Sequence, residues 1–208
     1  MPASPSRDAP GRTSSDPKVA AAKDDLRHRV RLARQQPSTP EDDRRRTASA
    51  LQLSRVHHTV ALYGSVGDEP DSWALIDTLF GGGHTVLLPV LGRRADGSVR
   101  RDPDWAQYRG PDGLRVGFAG ILEPTTAPLG ADGLAAAGLI WCSALAATPT
   151  GERLGTGGGW YDRALTHADP GATIAVLLRD AEVLDAVPTE PFDRRVDLIV
   201  TESRTLWT

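Results

Sequence analysis

The sequence predicts a single three-layer α/β/α domain with a mostly parallel sheet, and three observations support this prediction. Five short runs are almost entirely apolar, as strands covered by helices on both faces are. Helix-like segments separate several of the runs, which gives the β-α-β pattern of a parallel sheet. A chain of 208 residues with 39% hydrophobic residues is long enough for one core that buries roughly 70% of the unfolded surface. Because neither an internal repeat nor a second core is visible, one domain is expected.

The first 17 residues predict a disordered tail, and the domain is expected to span residues 18–208. The tail is rich in Pro, Ser, Arg and Asp and has no apolar periodicity. It also lacks the apolar core of a secretory signal, and no run of about 18 apolar residues exists to cross a bilayer. The single cysteine is too few for an intramolecular disulfide or a Cys-rich zinc site. A cytoplasmic protein without membrane contact is therefore expected.

Two helices are predicted before the first strand. The segment KVAAAKDDLRHRVRLARQQ is rich in Ala, Leu, Arg and Lys, and Asp16 before Pro17 is suited to cap its start. The second helix is expected to begin at Ser38 or Thr39 and to run to about Val56. A proline and three acidic residues fill its first turn, where they suit the positive end of the helix dipole.

The charge of the chain argues against nucleic-acid binding. Lys and Arg number 24 against 27 Asp and Glu, and the formal charge is -3, so the basic excess that non-specific binding needs is absent. Any polyanion must therefore be bound by a local patch. From Lys23 to Arg46, eight Lys and Arg stand against five Asp and Glu. By itself this pattern is typical of a solvated helical face.

The apolar runs predict the strands of the sheet, and the segment DSWALIDTLFGGG predicts a helix between the first two of them. The stretch 92–131 is polar and turn-rich, which favours a hairpin with loops packed over one side of the sheet. Trp73, Trp141 and Trp207 are expected to pack in the interior, and Cys142 is expected to be a small buried hydrophobe. The predicted strands are TVALYG (59–64), TVLLPV (85–90), GLIWCSAL (138–145), TIAVLL (173–178) and VDLIVT (196–201).

The segment GERLGTGGGWYDRAL (151–165) predicts a glycine-rich phosphate loop at a strand-to-helix junction. Four glycines in five positions remove the Cβ atoms, permit positive φ angles and free backbone N–H groups to point at an anion. Arg153 and Arg163 flank the glycines with positive charge. A tight turn is the alternative interpretation, but it requires neither this many glycines nor the arginines.

The known phosphate loops do not match this segment. A dinucleotide-binding G-x-G-x-x-G loop would need glycine at Trp160 or at Asp162, depending on the register. A Walker A loop needs G-K-[ST], and the segment contains no lysine. The chain also lacks the DFG sequence of protein kinases and the G-x-S-x-G turn of serine hydrolases.

Instead, RLGTGGGWYDRAL resembles the signature RLGxGxGYYDRxL of the 5-formyltetrahydrofolate cyclo-ligase family, also called methenyltetrahydrofolate synthetases. The resemblance covers about Lys23 to Glu202, nearly all of the predicted domain. Four other blocks agree with the family in order and spacing: KDDLR (23–27), LYGSVGDEPDSWALI (62–76), WAQYRGPDGLRVGFAGILEP (105–124) and PTEPFDRRVDLIVTE (188–202).

The resemblance implies an enzyme of one-carbon metabolism that converts 5-formyltetrahydrofolate to 5,10-methenyltetrahydrofolate. Members use ATP and Mg²⁺ and release ADP and phosphate, through phosphorylation of the formyl oxygen and attack by N10. Such a protein binds small-molecule substrates, and a monomer is expected. Two alternatives stay open: a folate- or nucleotide-binding protein without turnover, and a sugar-phosphate isomerase or CoA-transferase-like enzyme on a related sheet, which would not consume ATP.

The resemblance also implies roles for individual residues. Lys23 and Arg27, which share a helical face through their i, i+4 spacing, and Arg153 are the catalytic candidates, as clamps on the nucleotide phosphates. Magnesium would be bound by Asp162 and Asp193, because this ion prefers carboxylate and phosphate oxygens; Asp162 taken alone could equally be an acidic residue in a first helical turn. The ATP site would continue along Leu154, Gly155, Thr156, Gly157, Gly158, Gly159, Trp160 and Tyr161. The folate site would comprise Glu69, Thr156, Gly157, Gly158, Gly159 and Trp160.

Four positions depart from the family pattern. Thr156 stands where many members have an aromatic or basic residue, and Trp160 stands where Tyr is usual. Phe192 replaces the common His or Asn, and Thr148 replaces the usual Asp. None of these changes removes a phosphate clamp. They bear on the contacts with substrate and on the level of activity.

Overall fold

The computed structural model describes residues 16–94, 97–98, 100 and 102–208. The predicted tail lies outside this part up to residue 15, whereas Asp16 and Pro17 already belong to the first helix and its cap. The Asp16 side chain accepts a hydrogen bond from the Lys18 N–H at 2.8 Å, as the cap prediction requires. Within the described residues the α-helices are α1 (Pro17–Arg34), α2 (Pro40–Ser54), α3 (Trp73–Gly81) and α4 (Trp160–Ala164). None of them is long and apolar enough to cross a membrane.

The central sheet of the described chain has seven strands in the order β11-β10-β9-β6-β1-β2-β3. The five inner strands are parallel, and the two edge strands are antiparallel to their neighbours, which confirms a mostly parallel sheet. Two short antiparallel pairs, β4-β5 and β7-β8, lie outside it. The strands are β1 (Thr59–Ala61), β2 (Thr85–Pro89), β3 (Trp105–Gln107), β4 (Leu114–Val116), β5 (Leu122–Pro124), β6 (Leu139–Cys142), β7 (Ala146–Ala147), β8 (Arg153–Leu154), β9 (Thr173–Leu177), β10 (Leu198–Val200) and β11 (Thr205–Trp207).

Alternating side chains of the strands build a core on each face of the sheet, so the three-layer prediction is confirmed. Val60 and Leu62 pack with α2 and α3, whereas Ala61 between them packs with α4 on the opposite face. Trp141 is fully buried, and its indole N–H donates to Ser54 Oγ at 3.0 Å. The strands are thus apolar on both faces because helices cover both sides of the sheet, as predicted.

The structure corrects two expectations about the sheet edges. The stretch 92–131 contains the expected hairpin, β4-β5, but it also contributes β3, which pairs with β2 in the main sheet. Trp207 was expected in the interior and is 64% exposed, because it lies on the outer strand β11. A three-residue edge strand is fixed by backbone pairing with one neighbour and therefore needs no apolar run.

Helix α1 lies away from the main sheet, on the β7-β8 hairpin. Leu26 and Val30 of α1 form a separate apolar cluster with residues of this hairpin. At the end of α1, Arg34 Nε makes a buried ion pair with Glu182 Oε1 at 2.7 Å. The same guanidinium donates to the Ala144 carbonyl at 2.8 Å. This anchoring brings the basic face of α1 against the loop that follows β8.

The order of the strands reverses between β1 and β6. From β1 the chain builds outward to β2 and β3, and from β6 it builds outward to β9 and β10. The carboxyl ends of strands at such a reversal form a crevice where α/β proteins bind ligands. Ser143, which directly follows β6, lines a cavity at this edge of the sheet.

Candidate functional site

A cavity of about 320 Å³ lies between α1, the loop after β8 and the chain near residues 190–193. It brings together residues about 170 positions apart in the sequence. The predicted site residues in its lining are Lys23, Arg27, Arg153, Leu154, Gly155, Thr156, Gly157, Gly159, Trp160, Tyr161, Asp162 and Asp193. Gly158 and Glu69 are the predicted residues that are not part of this lining.

Lys23 lines the cavity and is only 6% exposed, which does not fit the solvated-face interpretation. Its Nζ donates to Asp193 Oδ2 at 2.6 Å and to Glu190 Oε2 at 2.9 Å. Burial alone would lower the pKa of Lys23, but the hydrogen bonds to Asp193 and Glu190 outweigh it and raise the pKa above its ordinary value. The ammonium group is therefore charged at neutral pH.

Arg27 and Arg31 fasten α1 to the glycine loop. Arg27 Nε donates to the Gly155 carbonyl at 3.0 Å, and Arg31 Nη2 donates to the Thr156 carbonyl at 3.0 Å. Arg27 also pairs with Asp24 through an Nη1–Oδ1 distance of 2.6 Å. These bonds turn the loop carbonyls toward α1. Arg27 thus fixes the loop conformation and presents positive charge to the cavity.

The loop between β8 and α4 uses its glycines where the backbone enters the left-handed region. Gly157 has φ +115° and Gly159 has φ +60°, values that are strained for other L-residues. A Cβ at Gly157 would also lie 3.5 Å from the guanidinium carbon of Arg27. The loop is therefore a tight strand-to-helix turn, and a side chain at Gly157 would be in ordinary contact with Arg27.

Arg153 and Asp162 form an ion pair behind the loop. Arg153 Nη2 lies 2.6 Å from Asp162 Oδ1, and the side chain of Arg153 is only 3% exposed. The Arg194 N–H donates to the same oxygen at 3.2 Å. Among the described residues, Arg153 Nε has no hydrogen-bond partner. Asp162 lies in the first turn of α4, as the alternative interpretation expects, but its carboxylate accepts from Arg153 and Arg194 rather than from the backbone at the helix start.

The donor set around Asp162 and Asp193 fits a magnesium ion only in company with phosphate. No group of three or more His, Cys, Asp or Glu able to bind a metal occurs in the part of the chain that the structure describes. Magnesium, however, is commonly bound by one or two carboxylates together with substrate phosphates and water. The hydrogen bonds to Asp162 end on Oδ1, and those to Asp193 end on Oδ2. Each carboxylate thus has a second oxygen for a cation.

Glu69 lies beside the loop in a neighbouring cavity of about 170 Å³. Thr156 lines both cavities, and Arg31 lines the second one together with Glu69. Glu69 Oε2 accepts a hydrogen bond from the Val66 N–H at 3.0 Å, and burial raises the pKa of this carboxyl. The structure therefore brings Glu69 next to the glycine loop, in a different cavity from the one that Lys23 lines.

Three aromatic side chains form a cluster behind the loop. Trp160 and Tyr161 meet edge to face with ring centroids 4.9 Å apart, and Trp105 packs against Trp160 at 5.2 Å. Burial raises the pKa of Tyr161 well above its ordinary value, so its hydroxyl stays protonated. Trp105 is fully buried and fixes the orientation of Trp160 from below.

The sequence reasoning missed Arg31 and Glu190. Arg31 continues the four-residue spacing of Lys23 and Arg27 along one face of α1, and this spacing is the signal that could have identified it. Glu190 belongs to the same C-terminal block as Asp193, but no local pattern indicates that it pairs with a lysine 167 positions earlier.

Two of the departures from the family pattern have a structural context. Thr148 is buried, and its hydroxyl donates to Glu152, whose other oxygen lies 2.6 Å from Arg195 Nη2. A carboxylate therefore lies beside position 148 although the residue itself is a threonine. Phe192 is 43% exposed at the edge of the cavity, with Lys23 Nζ 5.7 Å from its ring centroid.

The fold is shared with solved structures of known proteins. A solved structure of the 5,10-methenyltetrahydrofolate synthetase of Aquifex aeolicus shares the fold with a TM-score of 0.74 at 24% identity, over 89% of this chain and 92% of that one. The 5,10-methenyltetrahydrofolate synthetase of Mycoplasma pneumoniae matches with a TM-score of 0.64 at 17% identity, over 86% of this chain and 98% of that one.

The sequence comparisons are closer. The 5-formyltetrahydrofolate cyclo-ligase of Mycolicibacterium smegmatis is 39% identical over 181 residues, which cover 85% of this chain and 92% of that protein. The enzyme of the same name from Escherichia coli is 30% identical over 148 residues, 71% of this chain and 79% of that protein. The sequence model described as "5-formyltetrahydrofolate cyclo-ligase family" matches residues 19–202. The chain therefore belongs to the 5-formyltetrahydrofolate cyclo-ligase family and is a ligase.

Proposed function

We propose that the protein catalyses the ATP- and Mg²⁺-dependent cyclisation of 5-formyltetrahydrofolate to 5,10-methenyltetrahydrofolate, with release of ADP and phosphate. One observation carries the proposal: a single cavity gathers three cationic side chains, the backbone of a glycine-rich loop and three aspartates, of which Asp162 and Asp193 are the proposed metal ligands. This is the set that phosphoryl transfer needs, because that chemistry depends mainly on positioning and charge stabilisation. Small-molecule substrates, a monomeric state and a cytoplasmic location are part of the same proposal.

The reaction divides into a phosphoryl transfer and a ring closure. The formyl oxygen attacks the γ-phosphorus of ATP, and the bond to ADP breaks. N10 then attacks the activated formyl carbon and loses its proton, and the original formyl oxygen departs with the phosphate. Because the amide oxygen could not leave unaided, phosphorylation supplies the leaving group. The protein must bring the γ-phosphate, the formyl group and N10 together, and it needs little acid-base chemistry of its own.

In this proposal the cations of the cavity bind the nucleotide. Lys23, Arg27 and Arg153 contact the phosphates and offset the charge that develops during transfer. The buried position of Lys23 and Arg153 strengthens such contacts, since water screens them little. The backbone from Leu154 to Tyr161 wraps the phosphates, and the left-handed conformation at Gly157 supports this by letting the chain turn closely around them.

The folate is proposed to lie across the loop from the nucleotide. Glu69 and the loop residues from Thr156 to Trp160 would contact it, and Thr156 borders both cavities. Because the two cavities share Thr156, the formyl group of a bound folate could reach the γ-phosphate of a bound nucleotide. Asp162 and Asp193 would bind Mg²⁺, which when present neutralises phosphate charge.

The test is a direct assay of the purified protein with 5-formyltetrahydrofolate and Mg-ATP. Appearance of the methenyl product, with ADP formed in equal amount, is the expected result. Binding of both substrates without product would instead support a binding protein without turnover. Conversion of a sugar phosphate or a CoA ester without ATP consumption would support the other alternative. Omission of ATP and chelation of Mg²⁺ serve as the two controls, and each is expected to abolish product formation.

A further inference from the structure

We infer that Phe192 is the stacking platform for the base of the bound nucleotide, in the part of the cavity that Ala20 of α1 also lines. The inference rests on the proposed function, because it assigns a place for the base in the cavity that is proposed to bind ATP. It also gives a role to a residue that departs from the family pattern. The ligand that fits is a nucleoside triphosphate whose base is recognised mainly by its aromatic face.

Phe192 has the position and the exposure that a stacking residue needs. It lines the same cavity as the proposed phosphate clamps, and 43% of it is exposed. Its backbone is held firmly, because the adjacent Asp193 carboxylate accepts from Lys23 Nζ at 2.6 Å and from the Glu190 N–H at 2.7 Å. A large aromatic ring is thus held in a fixed turn, with the Lys23 ammonium over one face and enough of the ring exposed for a flat ligand to stack on it.

The arrangement along α1 indicates where the base would lie. Lys23 Nζ is 5.7 Å from the centre of the Phe192 ring, so the ring borders the cationic part of the cavity. Ala20 is three residues before Lys23 on the same side of α1 and also lines the cavity. Its side chain ends at Cβ, which leaves open space one turn away from the ammonium group. A nucleotide whose phosphates contact Lys23 and Arg27 therefore has its base within reach of the Phe192 ring, in the same cavity.

The chemistry of Phe192 limits the selectivity of this part of the cavity. A phenyl ring offers a face for stacking but no hydrogen-bond donor or acceptor, unlike the His or Asn that is common at this position in the family. Stacking is tolerant of the identity of the base, because each base has a π-face. We therefore expect ATP and GTP to depend on Phe192 to a similar degree.

The experiment compares nucleotides with inorganic tripolyphosphate, which has the phosphates but no base. Phe192→Ala is expected to weaken ATP and GTP binding by about 5- to 150-fold, the fold-change equivalent to stacking of about 1–3 kcal/mol per base. Tripolyphosphate affinity is expected to change by less than about twofold, because that ligand makes no stacking contact. Phe192→Trp should retain nucleotide affinity. Trp207→Ala, which removes another exposed aromatic side chain outside the cavity, is the matched control and should bind all three ligands normally.

Two kinds of failure are distinguishable. If the unaltered protein binds neither nucleotide nor tripolyphosphate, the proposed function is overturned and this inference with it. If the unaltered protein binds ATP, three results overturn the stacking role alone. These are unchanged ATP affinity in Phe192→Ala, an equal loss of tripolyphosphate affinity, and a loss confined to 5-formyltetrahydrofolate. Circular dichroism and thermal unfolding of each variant verify that the exposed position tolerates the change.

Discussion

Replacement of Asp162 by Asn separates the proposed metal role of this residue from its ion pair with Arg153. The change preserves the shape of the side chain and an oxygen that can accept from Arg153 and from the Arg194 N–H, but it removes the negative charge. Breaking a fully buried ion pair by removing one partner costs about 3–5 kcal/mol. Asp162 is 23% exposed and Asn keeps the hydrogen bonds, so we expect a loss of about 2 kcal/mol. For a chain of this size that loss lowers the Tm by roughly 4–8 °C.

The effect on turnover depends on whether the carboxylate also binds Mg²⁺. Loss of a charge that offsets the cation is expected to lower kcat by roughly a hundredfold or more, equivalent to about 3 kcal/mol of transition-state stabilisation. Raising the Mg²⁺ concentration should recover part of this loss. If Asp162 only pairs with Arg153, the Tm falls but the folded protein turns over at nearly the normal rate.

The assay is kcat as a function of Mg²⁺ concentration, measured well below the Tm of the variant and compared with thermal unfolding. Asp24→Asn is the matched control, because Asp24 lines the same cavity and pairs with Arg27 but is not assigned to the metal. Its Mg²⁺ dependence is expected to match that of the unaltered protein. Native-like turnover of Asp162→Asn at low Mg²⁺ would refute the metal assignment and leave Asp162 with a structural ion pair only.

Three other expectations follow from the same contacts. Asp16→Ala removes the α1 cap and should cost about 1 kcal/mol, a fall in Tm of roughly 2–4 °C measured by calorimetry. Lys23→Ala combined with Arg27→Ala should weaken ATP binding roughly tenfold or more by titration calorimetry while circular dichroism stays native; unchanged affinity would exclude both as clamps. Hydrogen bonds, of which the one from Thr148 has the largest effect, lower the pKa of Glu152 to about 2. The carboxylate therefore stabilises the fold above its ordinary pKa, and this stabilisation is lost as the pH falls toward 2. Urea unfolding should therefore show a deficit of Glu152→Gln at about pH 6 that shrinks between about pH 4 and 2, and a constant deficit would contradict the assignment.

The inner strands and the first two helices could be predicted because their signals are local. An inner parallel strand is apolar on both faces, and this requirement is visible in TVALYG and TVLLPV without knowledge of the neighbours. Helix α2 carries a capping box between Thr39 and Asp42, which the sequence shows as a threonine, a proline and acidic residues. The edge strands β3 and β11 have no such signal. Each is three residues long and is defined by antiparallel pairing with one neighbouring strand.

The site likewise has features with a local sequence signal and features that depend on the tertiary fold. The glycine loop could be predicted because positive φ angles require glycine, and Gly157 and Gly159 adopt them. The pairing of Lys23 with Glu190 and Asp193 could not, since it depends on how α1 packs on the β7-β8 hairpin. Single-residue identities thus indicate the kind of chemistry, whereas the tertiary fold decides which charges meet.

The pairing of charges explains how the cavity remains stable without a ligand. A buried lysine or arginine without a partner would lower the stability of the fold by several kcal/mol, roughly the usual penalty for an isolated charge in a protein interior. Lys23 is paired with Asp193, and Arg153 is paired with Asp162. The partners are the two carboxylates proposed to bind Mg²⁺, so both buried phosphate clamps are neutralised by proposed metal ligands, whereas Arg27 pairs with Asp24. An anion alone would compete with the carboxylates for Lys23 and Arg153. A cation alone would weaken the ion pairs that these carboxylates make with the two clamps. Phosphate and cation are therefore expected to bind together. The proposed assignments thus predict tighter binding of the metal–nucleotide complex than of either component alone.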